Sequence, residues 1–465
     1  MSSSFHLAID IGASGGRHIL GWLDDGALCT EEVHRFPNGM IQSGDQLRWD
    51  VEALFEEILT GLRKCKEIGK IPASVGVDTW GVDFALLDDN GARVAPIVAY
   101  RDERTENMDI ETYKHISEAE LYERTGIQKM PFNTIFQLMA TKTQTPEYFE
   151  NATHLLFMPD YLHYRLSGIM KTEYTIASTS GLLNAADKTW DEEIIRRCGF
   201  PRELFGEIVP AGTALGNFTY EIQQVVGFDC KVIMPPSHDT ASAFLAVPAK
   251  SDKAVYISSG TWSLLGVESA NPITSQESRI ADFTNEGGYD YRYRYLKNIM
   301  GLWILQSVHK EIGGGVTFAD MVVLARESNF DGLVDVNDKR FFAPDSMVDT
   351  IKIVCRESGH DVPQSIGDFA RLIYRSLAVS YANTIGVLAG LTGVEFDSVN
   401  IIGGGSQNWY LNELTALACG LRVFAGPAEG TALGSIVAQM ISMGVLADSS
   451  SARRVIRKSF DIREF

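Results

Sequence analysis

A strand, a glycine-rich turn and a second strand occur twice in this chain, and that repeat narrows the possible folds more than any other feature. In the first copy Phe5–Ile11 is apolar, Gly12–Gly16 makes a turn, and Arg17–Leu23 reads as the next strand. In the second copy Ala254–Ser258, Ser259-Gly260-Thr261 and Trp262–Val267 follow the same plan. Ile9-Asp10-Ile11-Gly12-Ala13-Ser14 answers Ile257-Ser258-Ser259-Gly260-Thr261-Trp262. Either hairpin alone is ordinary. Together, at so long a spacing, they predict two related α/β domains facing each other, each with one phosphate-binding turn. A length of 465 residues also exceeds what one hydrophobic core usually supports. The boundary is expected at Ala246–Ser251, where Pro248 interrupts a helix before a charged turn, giving domains 1–247 and 248–465.

The α/β pattern continues around both hairpins. Ala27–Phe36 is a third strand after Asp25-Gly26. Val51, Leu54, Phe55, Ile58 and Leu62 recur at helical spacing behind Asp50, a good N-cap. A strand at Ser74–Val77 leads into Asp78-Thr79-Trp80-Gly81. In the second half come a long helix through Phe369, Leu372, Ile373, Ser376, Leu377 and Ser380, a strand at Val399–Ile402, and two further helices.

Charge excludes some functions. With 41 basic and 60 acidic residues the formal charge is -19, and the chain has no basic module for a nucleic acid. An anionic ligand therefore needs local help from backbone N–H groups, a divalent cation or an isolated arginine. The longest apolar stretch, Ile436 to Ala447, is broken by Gln439, Ser442 and Gly444 and is too short to span a bilayer. Met1 to Ser4 run into the first strand with no secretory segment, and the six cysteines form no CxxC pair. The expectation is a soluble cytoplasmic protein with reduced thiols.

Neither G-x-x-x-x-G-K-[ST] nor a dinucleotide fingerprint is present. Asp10-Ile11-Gly12-Ala13-Ser14-Gly15-Gly16-Arg17 offers another route to phosphate. Its glycines let backbone N–H groups converge on oxygens, Ser14 adds a hydroxyl, and Arg17 adds a bidentate cation. Asp10, ending a buried strand, is a candidate ligand for Mg²⁺, directly or through water. The bland alternative is a hairpin with a surface arginine. Ser237-His238-Asp239-Thr240 follows the strand Lys231–Met234 and opens a helix through Phe244 and Leu245. Asp239 there is either a cap or a base that the helix N-terminus keeps ionised, and His238 either orients a hydroxyl or is a structural donor. Gly403-Gly404-Gly405 follows a strand end, where side-chain-free backbone lets a flat ring such as adenine approach.

Taken in order, these pieces resemble the FGGY carbohydrate kinases, of the superfamily that includes actin, the heat-shock ATPases and hexokinase. The likeness runs along nearly the whole chain. It is carried by Val77-Asp78-Thr79-Trp80-Gly81-Val82-Asp83-Phe84, Ala99-Tyr100-Arg101-Asp102, Pro131-Phe132-Asn133-Thr134, Met158-Pro159-Asp160-Tyr161, Ser237-His238-Asp239-Thr240-Ala241-Ser242, Thr284-Asn285-Glu286-Gly287-Gly288 and Leu296-Lys297-Asn298-Ile299-Met300-Gly301. It implies two ribonuclease-H-like domains facing each other across an ATP and sugar cleft, and ATP- and Mg²⁺-dependent phosphorylation of a ketose. By motif, Ala13, Ser14, Gly15, Gly16, Arg17 and Thr261 would contact the phosphates, while Gln306 and Gly404 would line the nucleotide pocket. Gly81, His238, Asp239, Thr240 and Asn298 would bind the ketose, with Asp239 as proton acceptor. Trp80, Phe84 and Phe132 are candidates for apolar surface beside it. Gly15 stands where the family usually carries a second serine, and Gly313–Phe342 matches only loosely. Readings from other classes are an actin-like nucleotide-driven structural protein and a catalytically silent sugar sensor.

Overall fold

The computed structural model describes residues 4–465; Met1, Ser2 and Ser3, part of the expected lead-in, lie outside the described residues. The first hairpin forms where its sequence places it. Strands β1 (Phe5–Gly12) and β2 (Gly15–Asp24) pair antiparallel through the two-residue turn Ala13-Ser14, with Asp10 opposite Arg17. β3 (Ala27–Pro37) extends the meander. Helix α1 (Val51–Glu67) starts at Asp50, whose carboxylate accepts from the Ala53 N–H at 3.0 Å. Its apolar stripe, Val51, Leu54, Phe55, Ile58 and Leu62, packs against Leu7 and Ile9 of β1 and Val75 and Val77 of β4 (Pro72–Thr79). Each such side chain contributes about 1.5–3 kcal/mol when fully buried, which decides the helix more than propensity does. With β5 (Ala214–Asn217) and β6 (Lys231–Ile233) the sheet runs β5-β6-β4-β1-β2-β3. β1 is thus central, parallel to β4 on one side and antiparallel to β2 on the other.

After helix α2 (Asp239–Leu245) the syntax restarts in β7 (Ala254–Ser259) and β8 (Trp262–Ser269), again an antiparallel hairpin. The chain then forms β9 (Thr284–Gly287), β10 (Tyr293–Met300) and the long helix α3 (Ile366–Thr392), which opens with a capping box between Ser365 and Asp368. β7 runs parallel to β11 (Ser398–Ile402), and β11 parallel to β12 (Arg422–Ala425). The order β8-β7-β11-β12 repeats β2-β1-β4-β6, with the same strand directions. The duplication read in the sequence is a duplication of topology.

Two compact units result. One comprises the chain up to Ala246 with Glu268–Tyr295 and Thr431–Ser459; the other comprises Val247–Val267, Leu296–Gly430 and Phe460–Phe465. The first boundary lies beside the expected division into 1–247 and 248–465, but the later segments do not follow that division. Helix α4 (Gly430–Ser442) shows why. The Gln439 amide donates to the Leu7 carbonyl at 2.9 Å and accepts from the Ser74 hydroxyl at 2.7 Å, both in the core of the first sheet. A Cβ on Gly434 would stand 1.8 Å from the Ser242 carbonyl oxygen of α2, so the two backbones touch. Gln439, read as an interruption of an apolar run, is the residue that pins α4 to β1 and β4.

Among the described residues no helix is long and apolar enough to cross a membrane, and the six cysteines form no disulfide.

Candidate active site

The parallel pairing of β1 and β4 sets Asp10 beside Asp78 at the carboxyl ends of both strands, the usual side for ligands in such sheets. Arg17 donates from Nε and Nη2 to Asp10 Oδ2, at 3.1 and 3.0 Å. The guanidinium expected to face phosphate thus has two of its bonds committed to Asp10. Asp78 is wholly buried, with the Ser435 hydroxyl as a neighbour and no closely matched hydrogen bond to either carboxylate oxygen among the described residues. Burial raises its pKa well above the usual carboxylate range, and the Asp10 and Asp239 carboxylates push it further. Ser14 is exposed at the hairpin tip, which Asn38 braces by donating to the Gly12 carbonyl at 2.8 Å. Gly16 has a packing reason of its own: a Cβ there would lie 2.2 Å from the Phe36 ring.

Asp239 reaches the same place from β6. The Thr79 N–H donates to the Ser237 carbonyl at 2.9 Å, tying the segment after β6 to the end of β4. The Ser237 N–H donates to the buried Glu173 carboxylate at 3.0 Å, and the His238 N–H donates to the Thr175 hydroxyl at 3.3 Å. His238 occupies the cap position of α2 and Asp239 its first turn, so Asp239 is not the N-cap. Its Oδ1 accepts from the Thr240 N–H at 2.5 Å and the Thr240 hydroxyl at 2.9 Å, and its side chain is 33% exposed. His238 Nε2 lies 3.4 Å from the same Oδ1. A Cβ on Gly81 would stand 3.5 Å from His238 Nε2, so the missing side chain keeps the edge of the imidazole open. Gly81, His238, Asp239 and Thr240, expected to meet a ketose, do come together. Asn298 lies on β10 in the second unit, half-buried.

Three side chains beside these residues escaped the sequence reading. Arg294 is completely buried and donates to Glu286 Oε2 and His238 Nδ1, both at 2.9 Å, and to the Gly287 carbonyl at 2.8 Å. Burial alone would raise the Glu286 carboxyl, but the Arg294 guanidinium beside it leads the groups that bring its pKa down to about 2. Asp78 is the third. Its signal was available: an acid closing a buried strand, as Asp10 does. Glu286 sits in a segment quoted for the family likeness, but nothing local pairs it with Arg294.

The apolar surface expected of Trp80 and Phe84 is a correction. Both are buried, and Trp80 packs on Trp49 with ring centroids 4.0 Å apart. Asp83 draws Trp80 inward by accepting from its indole N–H at 2.9 Å. Phe132 remains half-buried, edge-on to Tyr100.

In the second unit Thr261 is exposed at the tip of the β7–β8 hairpin. Gln306 lies half-buried on the helix Trp303–Ile312, whose start is joined to that hairpin by Trp303 N–H donating to the Thr261 carbonyl at 3.1 Å. Gly403 takes φ +81°, and a Cβ on Gly405 would lie 2.0 Å from Ser259 Oγ, so both glycines are required by geometry. Gly404 between them is exposed, with nothing within 4 Å of a Cβ position, as an approaching flat ring would need.

Comparison with known proteins shows the family. Residues 5–246 match the N-terminal domain of the FGGY family of carbohydrate kinases and residues 255–443 its C-terminal domain. The chain belongs to this family and is a carbohydrate kinase. It is 44% identical over 457 residues to a rhamnulokinase of Oceanobacillus iheyensis, covering 98% of this chain and 97% of that protein. A rhamnulokinase of Halalkalibacterium halodurans is 44% identical over 462 residues, covering 99% and 98%. Among solved structures, gluconate kinase from Lactobacillus acidophilus superposes with TM-score 0.81 at 14% identity, covering 100% of this chain and 93% of that one. Plasmodium falciparum glycerol kinase with ADP gives 0.80 at 13%, covering 99% and 94%. These two likenesses speak for the two-domain α/β fold alone.

Proposed function

We propose that the protein transfers the γ-phosphoryl group of ATP to the 1-hydroxyl of L-rhamnulose, in the cytoplasm and as a step of L-rhamnose catabolism. The observation that carries the chemistry is Asp239: a partly exposed carboxylate at a helix start, beside His238 Nε2 and the opening left by Gly81. The substrate follows from full-length relatives at 40–44% identity, all rhamnulokinases. Thr240 holds Asp239 Oδ1, leaving Oδ2 to accept the sugar proton. A loose transition state asks for little deprotonation early, so a carboxylate suffices as the base. His238, the backbone at Gly81 and Asn298 bind the ketose. Ala13 to Arg17 and Thr261 meet the phosphates, and Gln306 and Gly404 line the adenine pocket.

Asp10 and Asp78 suit a magnesium ion. The buried Asp78 carboxyl, with Asp10 and Asp239 close by, stands in an anionic setting that a cation would relieve. No group of three or more acidic, histidine or cysteine side chains forms a cage among the described residues. Magnesium held through one or two carboxylates, with water and phosphate oxygens, needs none. When bound it would neutralise charge on the phosphates.

A panel of ketoses with ATP and Mg²⁺, read by coupled ADP detection, tests the substrate. We expect the highest kcat/KM for L-rhamnulose, weaker use of L-fuculose and other ketoses, and little activity on glycerol. A methyl-sized apolar contact discriminates by only about tenfold to a few hundredfold. A misplaced hydroxyl should cost more, because it strands a buried polar partner. Preference for L-fuculose or xylulose would overturn the substrate and keep the kinase. ATP turnover indifferent to any sugar would instead favour an actin-like role.

Arg17→Ala should lower kcat/KM for ATP by roughly 10–100-fold, since it removes both a charge-assisted donor and the partner of Asp10. Unchanged ATP kinetics would take the β1–β2 turn out of phosphate handling.

A further inference from the structure

We propose that Arg294, braced by Glu286, is a positioning residue that keeps the His238 proton on Nε2, so that the ring offers the ketose a donor and not a lone pair. This rests on the sugar-kinase reading for its role, while the position of the proton follows from geometry alone. Arg294 Nη2 stands 2.9 Å from His238 Nδ1. A guanidinium nitrogen donates only, so Nδ1 must supply the lone pair. Nη2 carries two hydrogens, and its second partner, Glu286 Oε2, also lies at 2.9 Å. Nε is held by the Gly287 carbonyl at 2.8 Å, so two of the three guanidinium nitrogens fix the fork, while the buried Nη1 has no hydrogen-bond partner among the described residues.

The charged groups facing the ring are Glu286 on β9, Arg294 on β10 and Asp239 on α2. Glu286 Oε2 is 3.3 Å from Nδ1 and by itself would draw a proton there. Arg294 is nearer to both, and a hydrogen on Nδ1 would point at an arginine N–H. With Nδ1 accepting, the proton resides on Nε2. That atom is 3.4 Å from Asp239 Oδ1 and borders the open space at Gly81. The opposite tautomer would set an imidazole lone pair against a carboxylate, repelling both the base and any sugar oxygen that needs a donor. The buried ion pair is therefore placed where it controls which end of His238 donates.

The test uses the full chain labelled with ¹⁵N-histidine and long-range ¹H–¹⁵N correlation of the imidazole rings, with His238→Gln identifying the signals of His238. We expect the pattern of a protonated Nε2 and an unprotonated Nδ1. A protonated Nδ1 in the wild-type chain overturns the proposal whatever any variant does. Arg294→Met leaves Nδ1 facing Glu286 and should switch the ring to the Nδ1–H pattern, raising the ketose KM by roughly tenfold with the ATP KM unchanged. Arg294→Lys keeps a cationic donor and should restore the Nε2–H pattern; loss of that pattern in the lysine variant counts against the proposal. Retention of the Nε2–H pattern and of the ketose KM in Arg294→Met would overturn it as well. An inactive ketose panel with the Nε2–H pattern intact would sink the substrate reading instead.

Discussion

Asp239→Asn is expected to lower kcat for the ketose by about 10²–10⁴, the usual worth of a positioned general base, while nucleotide binding stays close to wild type. The amide keeps an oxygen where Oδ1 now accepts from the Thr240 N–H and hydroxyl, so the helix start is preserved. What is lost is the second oxygen as a proton acceptor. Turnover and nucleotide affinity measured on one preparation separate the two roles weighed for this residue. If the variant turned over near the wild-type rate, Asp239 would be reduced to shaping the start of α2.

The second large effect is on stability. Asp83 is buried, and its Oδ2 accepts from Trp49 Nε1 at 2.6 Å, Trp80 Nε1 at 2.9 Å and the Tyr100 N–H at 3.1 Å. Its Oδ1 accepts from Gln137 Nε2 at 3.0 Å. Burial pushes the carboxyl up to about 6, against the pull of these donors. Asp83→Ala leaves the donors in a dry site without their acceptor. It should cost on the order of 3–5 kcal/mol in denaturant unfolding, as loss of one member of a buried polar network does. Trp80 precedes Gly81, so the ketose KM should rise too. A loss under about 1 kcal/mol with an unchanged KM would show that the two tryptophans are held by packing alone.

Much of the site was legible because its parts are local. The β1–β2 hairpin, the Asp50 cap, the helix opening at Asp239 and the glycines after β11 all lie within a few residues of the features that announce them. Hydrophobic period, turn residues and capping chemistry act over that range. Gly81 and His238, far apart in sequence, could be assigned to one site by family likeness, but their approach follows from the Thr79–Ser237 backbone bond.

The two α/β halves, the repeated hairpins, the family and Asp239 as candidate base could all be read from the chain, because they rest on short-range periodicity and on motif order. Other features depend on contacts distant in sequence. Asp78 meets Asp10 through strand register, Gln439 turns a break in an apolar helix into a clasp on β1 and β4, and Asp83 pulls Trp80 into the core. Glu286 and Arg294 close on His238 from two other strands. Apart from Asp78, which strand register sets beside a like charge, each is a buried polar group that must find its partner wherever the fold brings one, and that demand leaves no trace in the spacing of neighbouring residues.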